Sequence, residues 1–140
     1  MTHTEALSFL SLHQPMPGDS EISPETADRF IETLRFLEEN PHPAAVPFLI
    51  GSVSEHTGLG MYEHIGFVLR KLPPYEVAPH LIQALKHGEA TTRARAAWWA
   101  ADCPCPALAK PIRDLLAVEQ DPQVRYAAES ALQVCLPNAP

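Results

Sequence analysis

The sequence has no long hydrophobic run and no recognisable export signal. Both absences exclude classes of protein that cross or enter a membrane. No apolar stretch approaches the ~20 residues that a membrane-spanning helix needs. Residues 1–5, Met-Thr-His-Thr-Glu, lack the basic flank that opens a secretory signal. The sequence therefore predicts a protein without membrane segments, and we expect it to reside in the cytoplasm.

Cysteine is scarce, since the chain contains only 3, an odd number. Cys103-Pro104-Cys105 is too short and too constrained by proline for an ordinary structural disulfide framework. The sequence also lacks the four ligands at finger-like spacing that a structural zinc site requires. We therefore expect buried or loop thiols, with Cys135 at a core position, no role assigned to Cys103 or Cys105, and neither a metal nor a cofactor.

Local signatures of catalysis are missing as well. The chain has no glycine-rich phosphate loop, no nucleophile elbow and no pair of catalytic carboxylates. His80 and His87 are seven residues apart on one predicted helix, which is further than the i, i+4 spacing of a chelating pair. His64 has no recognisable partner in the sequence. We therefore predict that the protein is not an enzyme and that it has no catalytic residues.

Basic residues are outnumbered, because 10 Lys and Arg stand against 17 Asp and Glu and give a formal net charge of −7. Residues 1–40 hold most of this excess, with eight acidic and two basic residues for a net −6. A negative field repels nucleic acid and favours basic protein partners. We therefore expect a protein partner, with a basic one favoured, and binding neither to nucleic acid nor to membranes. The oligomeric state stays open.

Proline is abundant, and one proline opens the segment that indicates the fold most clearly. Residues 121–132 read Asp-Pro-Gln-Val-Arg-Tyr-Ala-Ala-Glu-Ser-Ala-Leu, in which Asp121 is a good N-cap and Pro122 suits the first helical position. Arg125 can reach back towards an acidic cap or a neighbouring turn. Apolar residues at a 3.6-residue period mark the face that must be buried, namely Val124, Ala128, Ala131, Leu132 and Cys135.

The same plan recurs at intervals of 31 or 32 residues. The core positions of the first helices are Ala45, Leu49, Ser52 and Val53, then Val77, Leu81, Ala84 and Leu85, then Leu108, Ile112, Leu115 and Leu116. The core positions of the second helices are Met61, Ile65, Val68, Leu69 and Leu72, then Thr92, Ala96, Trp99, Ala100 and Cys103, then Val124, Ala128, Ala131, Leu132 and Cys135. Such self-similarity indicates stacked helical hairpins. We predict helices over 4–14, 24–39, 44–55, 60–72, 74–87, 91–103, 106–119 and 122–135, with Pro47 and Pro79 inside two of them.

The pattern Asp-Pro-x-Val-Arg-x-Ala-Ala-x-x-Ala-Leu in residues 121–132 resembles the second helix of a HEAT repeat, an armadillo-like helical repeat. The resemblance covers residues 44–135 and is strongest in the last hairpin. Arg93 stands where the last hairpin has Arg125, whereas the first hairpin has Tyr62 there. The resemblance implies an all-α fold, a short α-solenoid of antiparallel helical hairpins.

The resemblance also implies an organisation of the whole chain. We expect a single domain over residues 1–140, in which residues 1–43 form an atypical N-terminal helical cap, because an open end of a solenoid must be covered. Three hairpins then occupy residues 44–135, and residues 136–140 form a tail.

In a solenoid of this kind the second helices line the concave surface, and the repeat places an aromatic strip of Phe67, Trp98 and Tyr126 there. Exposed aromatics flanked by arginine are common in protein interfaces. The alternatives are that Trp98 or Phe67 packs under the N-terminal segment, or that the repeat register is shifted by one residue. A second candidate is an acidic stripe on the cap helix, which an ordinary solvated face also explains, made of Glu25, Asp28, Glu32 and Glu39. The predicted protein-binding residues are Glu63, Phe67, Arg70, Arg93, Trp98, Tyr126, Glu129 and Gln133.

The resemblance implies a non-catalytic module that grips one protein through its concave face. Its sharpest version is a small immunity protein that neutralises a basic toxin domain. The alternative is an enzyme of the HEAT type, either a bilin lyase subunit or a DNA glycosylase that removes alkylated bases. A glycosylase groove needs a strongly basic field, and here Arg93, Arg95 and Arg125 are offset by the overall charge of −7.

Overall fold

The structure is a computed structural model that describes residues 1–136, and the rest of the predicted tail, residues 137–140, lies outside the described residues. The described chain contains eight α-helices, two 3-10 turns and no β-strand, so the predicted all-α class is confirmed. Among the described residues, no helix has the length and apolar character needed to cross a membrane. The helices are α1 (His3–Ser11), α2 (Pro24–Glu39), α3 (Val46–Gly51), α4 (Tyr62–Leu69), α5 (Pro74–His87), α6 (Ala90–Asp102), α7 (Ala109–Val118) and α8 (Pro122–Cys135), and the 3-10 turns are Pro43–Ala45 and Pro106–Leu108.

The helices group into two compact units, an N-terminal unit of residues 1–72 and a C-terminal unit that begins at residue 73. In the N-terminal unit, α2 packs on α1 and α4, and α3 contacts α1 and α4. The first predicted hairpin therefore shares a unit with the predicted cap. In the C-terminal unit, α6 packs on α5 and α8, and α7 packs on α5 and α8. A single domain over the whole chain stays a prediction.

The N-terminal unit is built on α2, whose start follows the sequence signals. The Ser23 hydroxyl accepts a hydrogen bond from the Thr26 amide at 3.2 Å, and Pro24 occupies the first turn. Both features satisfy or remove amides that have no partner within the helix. Phe30, Leu34 and Leu37 recur at helical spacing on α2 and are fully buried.

The third and fourth predicted helices are too long. The segment predicted as one helix over residues 44–55 begins with a 3-10 turn, and the α-helix that follows, α3, ends at Gly51. The backbone then turns through Gly58 and Gly60, whose φ angles of 86° and 70° lie in the left-handed region that favours glycine. A Cβ at Gly58 would also collide with the Val53 side chain. These turns delay the next helix until Tyr62.

The two prolines predicted inside helices differ from one another. Pro79 lies inside α5, as predicted. Pro47 instead lies in the first turn of α3, because the preceding residues form a 3-10 turn. A proline in the first turn removes no helical hydrogen bond, and the prediction that Pro47 lies inside a helix as Pro79 does is wrong.

The repeat register agrees with the burial of side chains. Nearly all of the predicted core positions are buried, and the exceptions are only half-buried: Met61, Thr92, Leu116 and Leu132. Buried alanines also lie on both α6 and α8, where small side chains allow two helices to approach closely: Ala96, Ala97, Ala100, Ala127, Ala128 and Ala131.

The register gives the two adjacent tryptophans of α6 opposite surroundings. Trp98 is 42% exposed and Trp99 is 2% exposed. We expect Trp99→Ala to lower the free energy of unfolding by about 3–5 kcal/mol, and Trp98→Ala to change it by less than about 1 kcal/mol. Chemical denaturation of both variants measures this difference. A larger loss for Trp98→Ala would contradict the register.

Candidate protein-binding groove

Two exposed aromatic side chains from different helices meet on the C-terminal unit. Trp98 comes from α6 and Tyr126 from α8, with ring centroids 5.8 Å apart and ring planes at 63°. This edge-to-face arrangement is favoured by the quadrupoles of aromatic rings. Tyr126 is 67% exposed. With Ala94, Pro122 and Gln123, the two rings line an open groove of about 350 Å³, which we call the Trp98–Tyr126 groove.

The groove combines an apolar surface with polar groups that have no hydrogen-bond partner among the described residues. Ala94, one turn before Trp98, is too small to fill the space beside the indole. Within residues 1–136, the indole N–H of Trp98, the phenol O–H of Tyr126 and the side-chain amide of Gln123 make no hydrogen bond. An apolar surface with a few unoccupied polar groups is typical of binding sites.

A partly buried ion pair fixes the helix that carries Trp98. Arg93, in the first turn of α6, donates through Nε to Glu119 Oε2 at 2.7 Å and through Nη2 to Glu119 Oε1 at 3.0 Å. Its Nη1 donates to the Gly88 carbonyl at the end of α5 at 2.9 Å. The Glu119 side chain is 5% exposed and that of Arg93 is 25% exposed. Hydrogen bonding by Arg93 lowers the pKa of Glu119 below its ordinary value, and the same contact raises the pKa of Arg93.

The same residue, Glu119, also fixes the helix that carries Tyr126. Arg125 Nη1 donates to the carbonyls of Leu116 and Glu119, at 2.8 and 3.0 Å. The amide of Asp121 donates to Glu119 Oε1 at 3.2 Å, and Asp121 caps α8 by accepting from the amides of Gln123 and Val124. The prediction that Arg125 reaches back to a neighbouring turn is confirmed. We call this cluster of Arg93, Glu119 and Arg125 the Glu119 corner.

The other predicted binding residues of the C-terminal unit lie outside the groove lining. Arg93 belongs to the Glu119 corner, so its guanidinium is engaged internally and serves to position α6. Glu129 is exposed and lies 3.7 Å from Arg125. Gln133 is exposed two turns after Tyr126. Of the predicted residues in this unit, the structure brings together only Trp98 and Tyr126 in the groove.

Comparisons with protein-family models, with curated proteins and with solved structures find no match. The resemblance to HEAT repeats therefore stays a prediction from the residue pattern.

The remaining predicted binding residues belong to α4 and its C-cap, in the N-terminal unit. Glu63, Phe67 and Arg70 are exposed, with Phe67 at 46%. The Arg70 guanidinium lies over the Phe67 ring, 4.8 Å from its centroid, in a cation–π contact. Phe67 and the Trp98–Tyr126 groove belong to different compact units, so a continuous aromatic strip stays a prediction.

The acidic stripe lies on the exposed side of α2, as its helical spacing predicts, with all four of its residues exposed: Glu25, Asp28, Glu32 and Glu39. Arg29 and Arg35 are the basic residues of the same helix, and the Arg29 guanidinium contacts Glu32 Oε2 and Glu5 Oε2, each at 3.2 Å. Exposed pairs of this kind contribute little stability. Of the four stripe residues, Glu32 alone forms an ion pair within the described part of the chain.

Sequence reasoning missed Glu119, although a signal for it existed. Arg93 and Arg125 occupy equivalent repeat positions, and each needs an acceptor at the end of the helix before it. The Gly88 carbonyl fills that role for Arg93, and the carbonyls of Leu116 and Glu119 fill it for Arg125. Glu119 lies between the two arginines in the sequence. A search for an acidic residue that could contact both of them would have found it.

Sequence reasoning also missed a contact of His64. Its Nε2 lies 3.2 Å from Glu38 Oε2 without the angles of a hydrogen bond, and that nitrogen is buried. Across residues 1–136, no group of three or more His, Cys, Asp or Glu side chains is arranged to hold a metal ion. The contact between His64 and Glu38 joins α4 to α2.

The Glu119 corner makes the stability of the C-terminal unit depend on pH. We expect Glu119→Gln to lower the free energy of unfolding by about 2–3 kcal/mol near pH 7, because it removes a charge-assisted pair with Arg93. The folded pKa of Glu119 lies below 4.5, so the contribution of the pair is present above pH 4.5 and is lost as the pH falls through the folded pKa. Denaturation curves at a series of pH values measure the difference between wild type and variant.

The control for this experiment is Asp114→Asn, because Asp114 forms an exposed pair with Lys110 at 2.9 Å. We expect that variant to change stability by less than about 0.5 kcal/mol at any pH. Equal effects of the two variants, or a Glu119→Gln effect that persists unchanged at low pH, would contradict the role of the corner.

Proposed function

We propose that this chain is a non-catalytic protein-binding module, a short HEAT-like α-solenoid that holds its partner at the Trp98–Tyr126 groove. The observation that carries the proposal is the exposed pair of large aromatic rings on a surface fixed by the Glu119 corner. Tryptophan and tyrosine are enriched in the residues that dominate binding energy in protein interfaces. A rigidly held aromatic pair loses little conformational freedom on binding, which favours a role in recognition.

The chemistry of the groove supports binding over catalysis. Its lining residues are Ala94, Trp98, Pro122, Gln123 and Tyr126. The phenol of Tyr126 is the one titratable side chain among them, and the described lining holds no carboxylate, imidazole, thiol or amine that would act with it as a general acid or base. The groove offers mainly apolar contact and three hydrogen-bonding groups.

The charge of the chain supports a basic partner. Residues 1–72 hold ten acidic and four basic residues, a net −6, and the acidic stripe is exposed on α2. Complementary charge speeds association and suppresses wrong partners. The most specific form of the proposal is an immunity-type protein that neutralises a basic toxin domain. The lyase and glycosylase alternatives have no supporting feature in the groove, whose lining contains neither Lys nor Arg.

The binding proposal is tested by capture with matched variants. We expect a protein from cells of the native host to be retained by the immobilised wild-type chain and to be retained at least tenfold less by Trp98→Ala. Titration of that purified protein should show an approximately thirtyfold weaker dissociation constant for Trp98→Ala, which corresponds to about 2 kcal/mol. Quantitative mass spectrometry and calorimetry provide the two measurements.

Tyr75→Ala serves as the control, because Tyr75 is an exposed aromatic of the same unit that does not line the groove. It should bind like the wild type. Retention that is unchanged by Trp98→Ala, or lost equally in Tyr75→Ala, would overturn the assignment of the groove.

The glycosylase alternative makes an opposite prediction about DNA. Because the chain carries a net charge of −7, we expect no shift of duplex DNA by sub-micromolar protein in an electrophoretic assay at ~0.15 M salt. A shift that survives this salt concentration would revive a nucleic-acid function.

A further inference from the structure

The Trp98–Tyr126 groove offers hydrogen-bond donors but no charged side chain. Of the described residues that line it, none is Lys, Arg, Asp or Glu. The indole N–H of Trp98 can only donate, the Tyr126 phenol can donate, and the Gln123 amide carries two N–H groups. Within residues 1–136 these three side chains make no hydrogen bond. The groove therefore suits an uncharged ligand that is rich in acceptors.

Three common modes of peptide recognition do not match this surface. Addition of a strand needs a sheet edge, and residues 1–136 contain no β-strand. Acidic and phosphorylated motifs are held by clusters of arginine, whereas the described lining contains none and Asp121 beside it adds negative charge. A docked helix uses its own carbonyls in internal hydrogen bonds, so it would leave the donors of the groove without backbone acceptors. A ligand with free backbone carbonyls is required.

A proline-rich segment has that property. It adopts the polyproline II conformation, which contains no internal hydrogen bonds, and proline itself has no N–H to compete for the donors. Its residues rise about 3.1 Å each, so about two of them span the 5.8 Å between the ring centroids of Trp98 and Tyr126. The ring planes meet at 63°, so they form two apolar walls of the groove, and the apolar side chains of Ala94 and Pro122 complete the lining.

We propose that the Trp98–Tyr126 groove binds a proline-rich segment of the partner protein in the polyproline II conformation. The proline rings pack against the indole and the phenol, and the peptide carbonyls accept hydrogen bonds from both side chains. A polyproline II segment is ordered before it binds, so it loses little conformational freedom. The inference rests on the proposed function of the groove as a protein-binding site and names the chemistry of the segment that it binds.

The experiment titrates the full chain, labelled with nitrogen-15, with an oligoproline of about ten residues whose ends are acetylated and amidated. This probe is uncharged and adopts the polyproline II conformation. We expect the indole N–H resonance of Trp98 to shift with saturation, because that N–H gains an acceptor, and the resonance of Trp99 to stay in place. The variant Trp98→Phe identifies which resonance belongs to which indole.

Two matched removals of a hydroxyl group test the contact, with binding followed by backbone amide resonances. Tyr126→Phe keeps the ring and removes the donor, so we expect it to weaken oligoproline binding about threefold to tenfold. Tyr75→Phe removes the hydroxyl of an exposed tyrosine that does not line the groove, so it should bind like the wild type. Equal weakening by the two variants, or no saturable shift of Trp98 with oligoproline, would overturn the inference.

Two other probes separate this inference from the proposed function, namely an arginine-rich peptide and an amphipathic helical peptide. If either of them shifts the Trp98 resonance and oligoproline does not, the groove stays a binding site and the proline-rich inference fails. If oligoproline binds in the groove but Trp98→Ala still retains the host protein as the wild type does, the proposed function fails and the affinity for proline-rich segments stands.

Discussion

The arrangement of the C-terminal unit depends on the hydrogen bonds of Glu119. Its side-chain carboxylate accepts two hydrogen bonds from Arg93 of α6 and one from the Asp121 amide at the start of α8. Its backbone carbonyl accepts a hydrogen bond from Arg125. A nearly buried carboxylate is stable only when its oxygens are satisfied in this way. Because its partners belong to α6 and to the start of α8, the corner ties these two helices together.

The position of the aromatic pair follows from that constraint and from helical geometry. Successive residues of an α-helix point about 100° apart, so Trp98 and Trp99 cannot share one face. Trp99 enters the core, and Trp98 remains on the outer flank of α6. Buried alanines on α6 and α8 keep side chains small between the two helices. Trp98 and Tyr126 can therefore meet at the surface.

Local signals in the sequence predicted much of this fold. Ser23, Pro74 and Pro122 mark the starts of α2, α5 and α8, and the 31- or 32-residue repeat identified the buried positions and the exposed aromatics. Capping and periodicity act within a few residues, so they can be read without the structure. The exposure of Trp98 beside a buried Trp99 is the clearest case.

Other features were not predictable from local pattern. The early end of α3 depends on a turn with two left-handed glycines, which a helical period of apolar residues does not reveal. Arg93 pairs with a residue 26 positions away, and such a pair is set by how helices pack. The assignment of Arg93 to a binding surface came from its place in the sequence alone. The partner is likewise not encoded in any local motif.

The most direct test of this account is the accessibility of the two tryptophans to iodide, a charged quencher of indole fluorescence. The variant Trp99→Phe leaves Trp98 as the only indole, and Trp98→Phe leaves Trp99. The account predicts that iodide quenches Trp98 several-fold more strongly than Trp99, because Trp98 is 42% exposed and Trp99 is 2% exposed. Equal quenching, or stronger quenching of Trp99, would contradict both the repeat register and the groove.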